Sequence, residues 1–307
     1  MTSTDIRGVT RAPGLQVWVP LVALWLIWGS TYLAIAVLGR SMPPLMGNGL
    51  RFLAAALILG TLLAVTRGPS ALACSAAQLR ATATMGVGLL GVGIGTLALA
   101  EAYVPSGVAA LLVAVMPIWI IIFRMRAGER PATLTIGGVV VGLIGLGLML
   151  LPGGTEPVSG SDGQVVLWSV AILASSTCWA VFSWRSARYT LPTNPLVTTA
   201  YELAFAGVFL VVIGLVTGER MDWQGVTPGS WWAFAWLIAA SLAGYSAFTW
   251  LLGNAPLSLT ATYAYVNPVV AVLLGAVLLS EPVTRDVLIG LTLVVGGVVL
   301  VVSGERR

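Results

Sequence analysis

The chain has 307 residues, of which 58% are hydrophobic and only 8% are charged, and its mean hydropathy is +0.98. Polar side chains are too few to cover a soluble globule of this length, so the composition predicts an integral membrane protein. The basic residues are fifteen arginines, and lysine and histidine are absent. This absence excludes a Ser-His triad, a histidine zinc motif, a Walker lysine and a retinal Schiff base, and we expect no cofactor and no metal site.

Ten apolar stretches are long enough to cross a bilayer core of about 30 Å, which takes about 20 helical residues. Short clusters of Arg, Gly and Pro separate them. The alternating pattern of a membrane β-barrel is absent, so the sequence predicts an all-α integral membrane protein with ten transmembrane helices. The predicted spans are residues 17–38, 45–65, 81–102, 104–123, 133–151, 165–184, 196–216, 231–252, 257–279 and 287–303.

The arginines also predict the orientation of the chain. If the spans alternate across the bilayer, eleven arginines lie in the tails and loops of one side, and only Arg40, Arg220 and Arg285 lie in loops of the other. Arginine-rich loops stay in the cytoplasm, so both termini are predicted to be cytoplasmic, in a multi-pass protein of the plasma (inner) membrane. The positive charge thus indicates orientation in a lipid bilayer and not nucleic-acid binding. The first span is too long for a cleavable signal peptide.

The ten spans form two groups of five, separated by the Gly/Pro/Ser-rich segment PGGTEPVSGSDGQ. Pro44 and Pro195 lie 151 residues apart, as do Pro117 and Pro268, which indicates a duplication. Because five is odd, the second half is expected to enter the membrane inverted, as in many secondary transporters. The predicted division is a cytoplasmic tail 1–16, a first repeat 17–151, an external linker 152–164, a second repeat 165–303 and a cytoplasmic tail 304–307.

Several motifs resemble those of EamA-type transporters of the drug/metabolite transporter superfamily. They are WLIWGSTYLAIAVLGRSMPPLMGNGLRFLAAALIL (25–59), SGVAALLVAVMP (106–117) and YAYVNPVVAVLLGAVLLSEP (263–282), and AEAYVPSG (100–107) is similar to the branch of YedA-like inner-membrane proteins. The resemblance covers residues 17–303. It implies a ten-helix exporter of small metabolites such as amino acids, with cytoplasmic termini and a central cavity lined by both repeats.

Three charged residues lie within or at the end of predicted spans. A charge in the hydrocarbon costs about 2.5 kcal/mol or more and is expected to face a partner or a wet cavity. Helical rise places Arg51 and Glu101 near the external side, whereas Glu202, 151 residues after Arg51, lies near the internal side. We therefore predict that Arg51 and Glu101 bind substrate as a pair, and that Arg51 makes no ion pair with Glu202.

Glu101 and Glu202 are also candidate sites for proton coupling, since a carboxylate in a membrane can carry a proton. Each charge has a structural alternative. Arg51 could snorkel or form a structural pair, Glu101 could be an interfacial carboxylate, and Glu202 could make an ion pair or a helix-dipole contact.

A second group of candidates is polar and aromatic. Trp28, Thr31 and Tyr32 share one face of the first span near the bilayer centre, where a lipid-facing helix needs no polar cluster. Tyr263 and Asn267 are one turn apart in the ninth span, and Pro268 predicts a bend that exposes backbone carbonyls. Further candidates for substrate binding are Asn48 and Tyr245. Aromatic packing and interhelical hydrogen bonds are the structural alternatives for these residues.

Small residues and loop carboxylates receive structural interpretations. Glycines in the fifth and tenth spans predict tight helix packing or a homodimer contact. Glu129 and Glu281 are predicted to cap the helices that follow them. The glycines are Gly137, Gly138, Gly142, Gly145, Gly147, Gly290, Gly296 and Gly297.

These features predict a secondary transporter, an exporter of a small-molecule substrate such as an amino acid, working by alternating access of two inverted repeats. The alternative on the same scaffold is an exporter of drugs or nucleobase-like compounds. Proton antiport and facilitated efflux both stay open as energy sources. An intramembrane enzyme would need paired aspartates, a metal or an activated serine, and a channel would need polar rings from several spans, so both are disfavoured.

Overall fold

The computed structural model describes residues 14–104, 109, 112–150, 162–279 and 285–305. All regular elements in these residues are helical, and no strand occurs among them, which confirms the predicted all-α class. The helices are α1 Leu15–Gly39, α2 Pro44–Arg67, α3 Ala76–Ala100, α4 Met116–Arg126, α5 Thr133–Leu150, α6 Asp162–Arg185, α7 Pro195–Val216, α8 Pro228–Asn254, α9 Tyr263–Leu279 and α10 Arg285–Glu305.

Seven helices in the described part of the chain are long and apolar enough to cross a membrane, namely α1, α2, α3, α6, α7, α8 and α10. This confirms a multi-pass membrane protein. The count of ten spans stays a prediction. Part of the predicted fourth span lies outside the described residues, α5 is a shorter apolar helix, and the predicted ninth span is broken.

The prolines that mark the duplication also begin helices. Pro44 and Pro195 are the first residues of α2 and α7, where the missing N–H group costs nothing. The first free amides of α2 are satisfied by the loop after α7, since Leu45 N and Met46 N donate to the Glu219 carboxylate at 3.1 and 2.8 Å. A carboxylate is stabilising at a helix N-terminus, so this contact ties the two halves of the chain together.

Two helices contain π-helical segments, Gly86–Ile94 in α3 and Ser241–Tyr245 in α8. Residues 90–94 and 241–245 are 151 residues apart, so the irregular turns fall at matching positions of the two halves. Segments of this kind frequently occur at functional sites.

The predicted ninth span begins as a short helix, Leu257–Thr260, and continues as α9 after a break at Ala261 and Thr262. Pro268 lies inside α9, so the break before Tyr263 is separate from the bend predicted at this proline, which stays a prediction. Side-chain bonds hold the break, since Thr262 Oγ1 donates to Leu259 O at 2.7 Å and accepts from Trp25 Nε1 of α1 at 3.2 Å.

The glycine faces of α5 and α10 pack closely, as predicted. A Cβ on Gly138 would lie 2.6 Å from Gly297 O, and one on Gly145 would lie 2.7 Å from Gly290 O, so the two backbones touch. Gly137 and Gly296 face open space instead. Most of the linker 152–164 and all of Glu281 lie outside the described residues.

Candidate functional site

A central cavity opens between helices of both halves. The space inside it that the centres of water-sized molecules can occupy is about 70 Å³, so the cavity is narrow in this conformation. Its lining comes from α1, α2, α3, α4, α6, α8 and α9 and the residues next to them. The predicted residues among the lining are Trp28, Thr31, Tyr32, Arg51, Tyr245, Tyr263 and Asn267.

Two of the nine predicted binding residues, Asn48 and Glu101, are not part of this lining. Asn48 is completely buried in α2, and its Nδ2 donates to the carbonyl of Pro44 one turn earlier at 2.8 Å. This bond lies within α2 and is not the interhelical bond considered as the structural alternative, and Asn48 Oδ1 has no partner among the described residues. The substrate-binding role of the other seven stays a prediction, although the fold brings them together.

Trp28 is the centre of an aromatic cluster in the cavity wall. Its ring centroid lies 5.1 Å from that of Tyr245, 4.8 Å from that of Tyr263 and 5.8 Å from that of Trp179, all in edge-to-face geometry. Phe248 completes the cluster at 5.2 Å. Edge-to-face contacts are the preferred arrangement of aromatic pairs, so the cluster is a stable apolar wall.

The two tryptophans of this cluster are also matching residues of the two halves, since Trp28 and Trp179 lie 151 residues apart. Each ring rests on a glycine of the other half. A Cβ on Gly244 of α8 would overlap the Trp28 indole, and a Cβ on Gly93 of α3 would lie 2.6 Å from the Trp179 ring. Gly93 and Gly244 are themselves 151 residues apart, so the two contacts are reciprocal.

Arg51 enters the cavity from α2 although its side chain is only 2% exposed. Its Nη1 donates to Ser241 Oγ at 3.5 Å, its guanidinium lies 4.5 Å from the centre of the Phe52 ring, and its Nε has no partner in the described part of the chain. The unpartnered Nε–H is a donor that is left for a ligand. This arrangement differs from a snorkelling arginine.

The predicted pairing of Arg51 with Glu101 is wrong as a direct contact. No ion pair within 4.0 Å joins them in the described residues, although the two charges act on each other through space. Glu101 directly follows α3, and its buried Oε1 has no hydrogen-bond partner among the described residues. Helical rise predicts the depth of each residue but does not fix the direction of either side chain.

Glu202 lies in α7 with only 5% of its surface exposed. As predicted, it makes no ion pair with Arg51 in the described residues. Its Oε2 accepts a long hydrogen bond from Thr249 Oγ1 of α8 at 3.5 Å. An ion pair was one structural role considered for Glu202. The described residues form no ion pair with it.

The observed ion pairs lie at the ends of α4 and α10. Arg124 contacts Glu129 at 2.7 Å and Glu305 at 2.8 Å, and its Nη1 also donates to Ser258. Glu129 thus pairs with Arg124, where the sequence predicted a helix cap. The cluster joins α4 of the first half to two segments of the second half.

Some lining residues escaped sequence reasoning. Ser175 and Ser176 donate to backbone carbonyls of their own helix α6 and look like ordinary helix serines in the sequence. Trp179, by contrast, is predictable as the second-half partner of Trp28, because the two lie 151 residues apart. Ser241 matches an apolar residue, Leu90, and so had no signal.

A multi-pass helical membrane protein that encloses an aromatic cavity with one buried arginine has the architecture of a solute transporter. A family comparison agrees, because the model of the EamA-like transporter family matches residues 17–151 and 166–303. The chain therefore belongs to the EamA-like transporter family. Proteins of this kind are transporters and are usually not enzymes.

Individual relatives are also described as transporters. The chain is 36% identical over 286 residues to the uncharacterized inner membrane transporter YedA of Escherichia coli (strain K12), covering 93% of this chain and 90% of that one. It is 25% identical over 292 residues to the uncharacterized transporter YoaV of Bacillus subtilis (strain 168), covering 92% and 96%. One crystal structure of a protein shares the fold, with a TM-score of 0.76, 21% identity and coverage of 93% and 96%.

Proposed function

We propose that this protein is a secondary transporter that exports a small amphipathic metabolite, such as an amino acid, across the inner membrane. It works by alternating access of two inverted five-helix repeats, 17–151 and 165–303, with both termini in the cytoplasm. The observation that carries the proposal is the meeting of seven predicted polar and aromatic residues in one cavity between the halves. Such a cavity at a repeat interface is where secondary transporters bind substrate.

The reciprocal tryptophan contacts support the repeat relation. Trp28 rests on Gly244, and Trp179 rests on Gly93. The two tryptophans lie 151 residues apart, and so do the two glycines, so each contact is the repeat-related copy of the other. In a two-fold interface every contact occurs twice with the roles of the two sides reversed, as these two contacts do. The matching π-helical turns of α3 and α8 add to this support.

The chemistry of the cavity favours a ligand with an anionic group and an apolar body. Arg51 offers its unpartnered Nε–H and its positive charge to a carboxylate, and Trp28, Tyr245 and Tyr263 form the apolar wall. Glu101, which lies outside the lining, would act on an ammonium group through its field and not through contact.

Contacts join the two halves at both ends of the bundle. The Arg124, Glu129 and Glu305 cluster ties them together at the end predicted to be cytoplasmic. At the other end, Ser41 of the first half contacts Ser230 of the second at 2.8 Å, and the Glu219 carboxylate accepts from amides of α2. Alternating access would require each set of contacts to open in turn, the ionic cluster when the cavity faces the cytoplasm.

Export from cells loaded with single amino acids tests the proposal. Arg51→Ala is expected to lower export of accepted substrates at least tenfold, because one charged hydrogen-bonded contact contributes about 1.5–3 kcal/mol. Arg67→Ala is the matched control, since Arg67 ends α2 outside the cavity and should leave export unchanged. Unchanged export of every accepted substrate in Arg51→Ala would contradict the binding role.

The second candidate is export of drugs or nucleobase-like compounds, whose flat rings could stack on the aromatic cluster around Trp28. A competition screen of amino acids, nucleobases and drugs against purified protein, measured by thermal shift, separates the two. Energy coupling is tested in proteoliposomes with and without a pH gradient. A flux that ignores the gradient would indicate facilitated efflux and exclude proton antiport.

A further inference from the structure

Four oxygen-bearing groups lie next to one another on facing turns of α7 and α8, beside the cavity. They are the Glu202 carboxylate, the hydroxyls of Thr199 and Thr249, and the backbone carbonyl of Tyr245. Thr249 Oγ1 lies 3.5 Å from Glu202 Oε2, and Thr199 Oγ1 lies 3.1 Å from Thr249 Oγ1 and 3.5 Å from Tyr245 O. Glu202 is 5% exposed and Thr199 is completely buried, so bulk water does not solvate the group.

Hydrogen bonding within the group does not account for the buried carboxylate. Bonds between a hydroxyl and an oxygen acceptor are usually about 2.5–3.0 Å long, so two contacts at 3.5 Å are weak. A buried carboxylate is normally paired with a cation, bound to a metal ion or neutralised by a proton. No arginine pairs with Glu202 in the described ranges, and Arg51 on the adjacent α2 donates to Ser241 instead.

The spacing of the oxygens suits a small cation between them. Na⁺ is close in size to Ca²⁺, whose oxygen ligands lie at about 2.3–2.6 Å, so ligands at right angles around it lie about 3.3–3.7 Å apart. The observed separations of 3.1 to 3.5 Å approach or fall in this range. One carboxylate among three neutral oxygens also matches a single positive charge, which favours a monovalent ion over a divalent one.

We propose that Glu202, Thr199, Thr249 and the carbonyl of Tyr245 form a binding site for Na⁺. The carbonyl belongs to the last residue of the π-helical turn of α8, and irregular helical turns supply ion ligands in other secondary transporters. On the opposite side, Gly86 of α3 packs directly on the Glu202 backbone, which closes the site towards the first half.

Tyr245 links this site to the substrate cavity. Its carbonyl contacts the ion ligands, and its ring lies in the cavity wall 5.1 Å from the ring of Trp28. An ion that fixes the Tyr245 backbone therefore also fixes part of the wall. This coupling rests on the proposed function, whereas Na⁺ binding itself does not.

Binding is measured on the purified full-length chain without substrate, by thermal shift and by ²²Na⁺ binding. NaCl is expected to raise Tm in a saturable way, and choline chloride at equal ionic strength is expected to leave it unchanged. The shift should disappear in Glu202→Gln and weaken in Thr199→Val, which replaces the hydroxyl by a methyl group of similar size. Each variant must first show the wild-type elution profile in choline chloride.

Two matched controls should keep the Na⁺ response. Thr198→Val changes the neighbouring buried threonine, whose hydroxyl faces Pro192 O, and Glu101→Gln neutralises a buried carboxylate elsewhere. A Tm that is equal in NaCl and choline chloride at every pH would overturn the proposal, as would a Na⁺ response retained in Glu202→Gln. If Na⁺ binds but no tested metabolite is exported, the site stands and the proposed function fails.

Discussion

The reciprocal contact between Trp28 and Gly244 gives the sharpest test of the packing around the cavity. In Gly244→Ala, the new methyl group would overlap the Trp28 indole, so the ring has to move. The displaced ring loses part of its contacts with Tyr245, Tyr263 and Trp179.

The expected cost follows from these contacts. Aromatic pairs contribute about 0.5–1.5 kcal/mol each, and overpacking of a core costs about 1–3 kcal/mol. We therefore expect Gly244→Ala to lower the free energy of unfolding by about 1–3 kcal/mol and to lower export of the larger accepted substrates first. Gly253→Ala in the same helix is the control, since nothing lies within 4 Å of its added methyl group.

Chemical unfolding in detergent and the export assay measure the two effects. The double variant Trp28→Phe with Gly244→Ala separates ring displacement from a general helix defect, because the smaller ring leaves space for the methyl group. The double variant is expected to be more stable than the sum of the single changes predicts. Additive effects, or a Gly244→Ala protein as stable as Gly253→Ala, would refute the reasoning.

Three further predictions concern contacts between the halves. Glu305→Gln removes a partner of Arg124 and is expected to raise leak flux through the predicted cytoplasmic end in proteoliposomes; an unchanged leak would contradict a closing role. Glu219→Ala removes the acceptor of two α2 amides and should cost about 0.5–2 kcal/mol in chemical unfolding, whereas no loss would contradict the cap. Gly297→Ala should cost about 1–3 kcal/mol because its methyl group meets the α5 backbone, and Gly296→Ala, which meets open space, should cost nothing; equal stabilities would contradict the packing.

The sequence predicted the parts of the fold that depend on periodicity. Helices, the multi-pass character and the glycine contact of α5 with α10 follow from apolar length and residue spacing, which are local properties. The gathering of Trp28, Tyr245 and Tyr263 in one cavity was also predictable, because polar or aromatic clusters near the bilayer centre have few other places to lie.

The directions of side chains were not predictable in the same way. Helical rise gives the depth of Arg51 and Glu101 but not the rotation of their helices, and the two do not touch. The break before Tyr263 depends on bonds of Thr262 to α1 and to its own segment, which no local pattern encodes. The burial of Glu202 likewise depends on the approach of α3 at Gly86.

Alternating access is tested most directly by the accessibility of the cavity from the two sides of the membrane. Thr31 lines the cavity, and Thr31→Cys can be placed in a background where Cys74 and Cys178, both free thiols, are replaced by alanine. A membrane-impermeant thiol reagent is applied to right-side-out and to inside-out vesicles. The account predicts that Thr31→Cys reacts from both sides, and that an accepted substrate slows both reactions. Reaction from one side only, with transport intact, would contradict it.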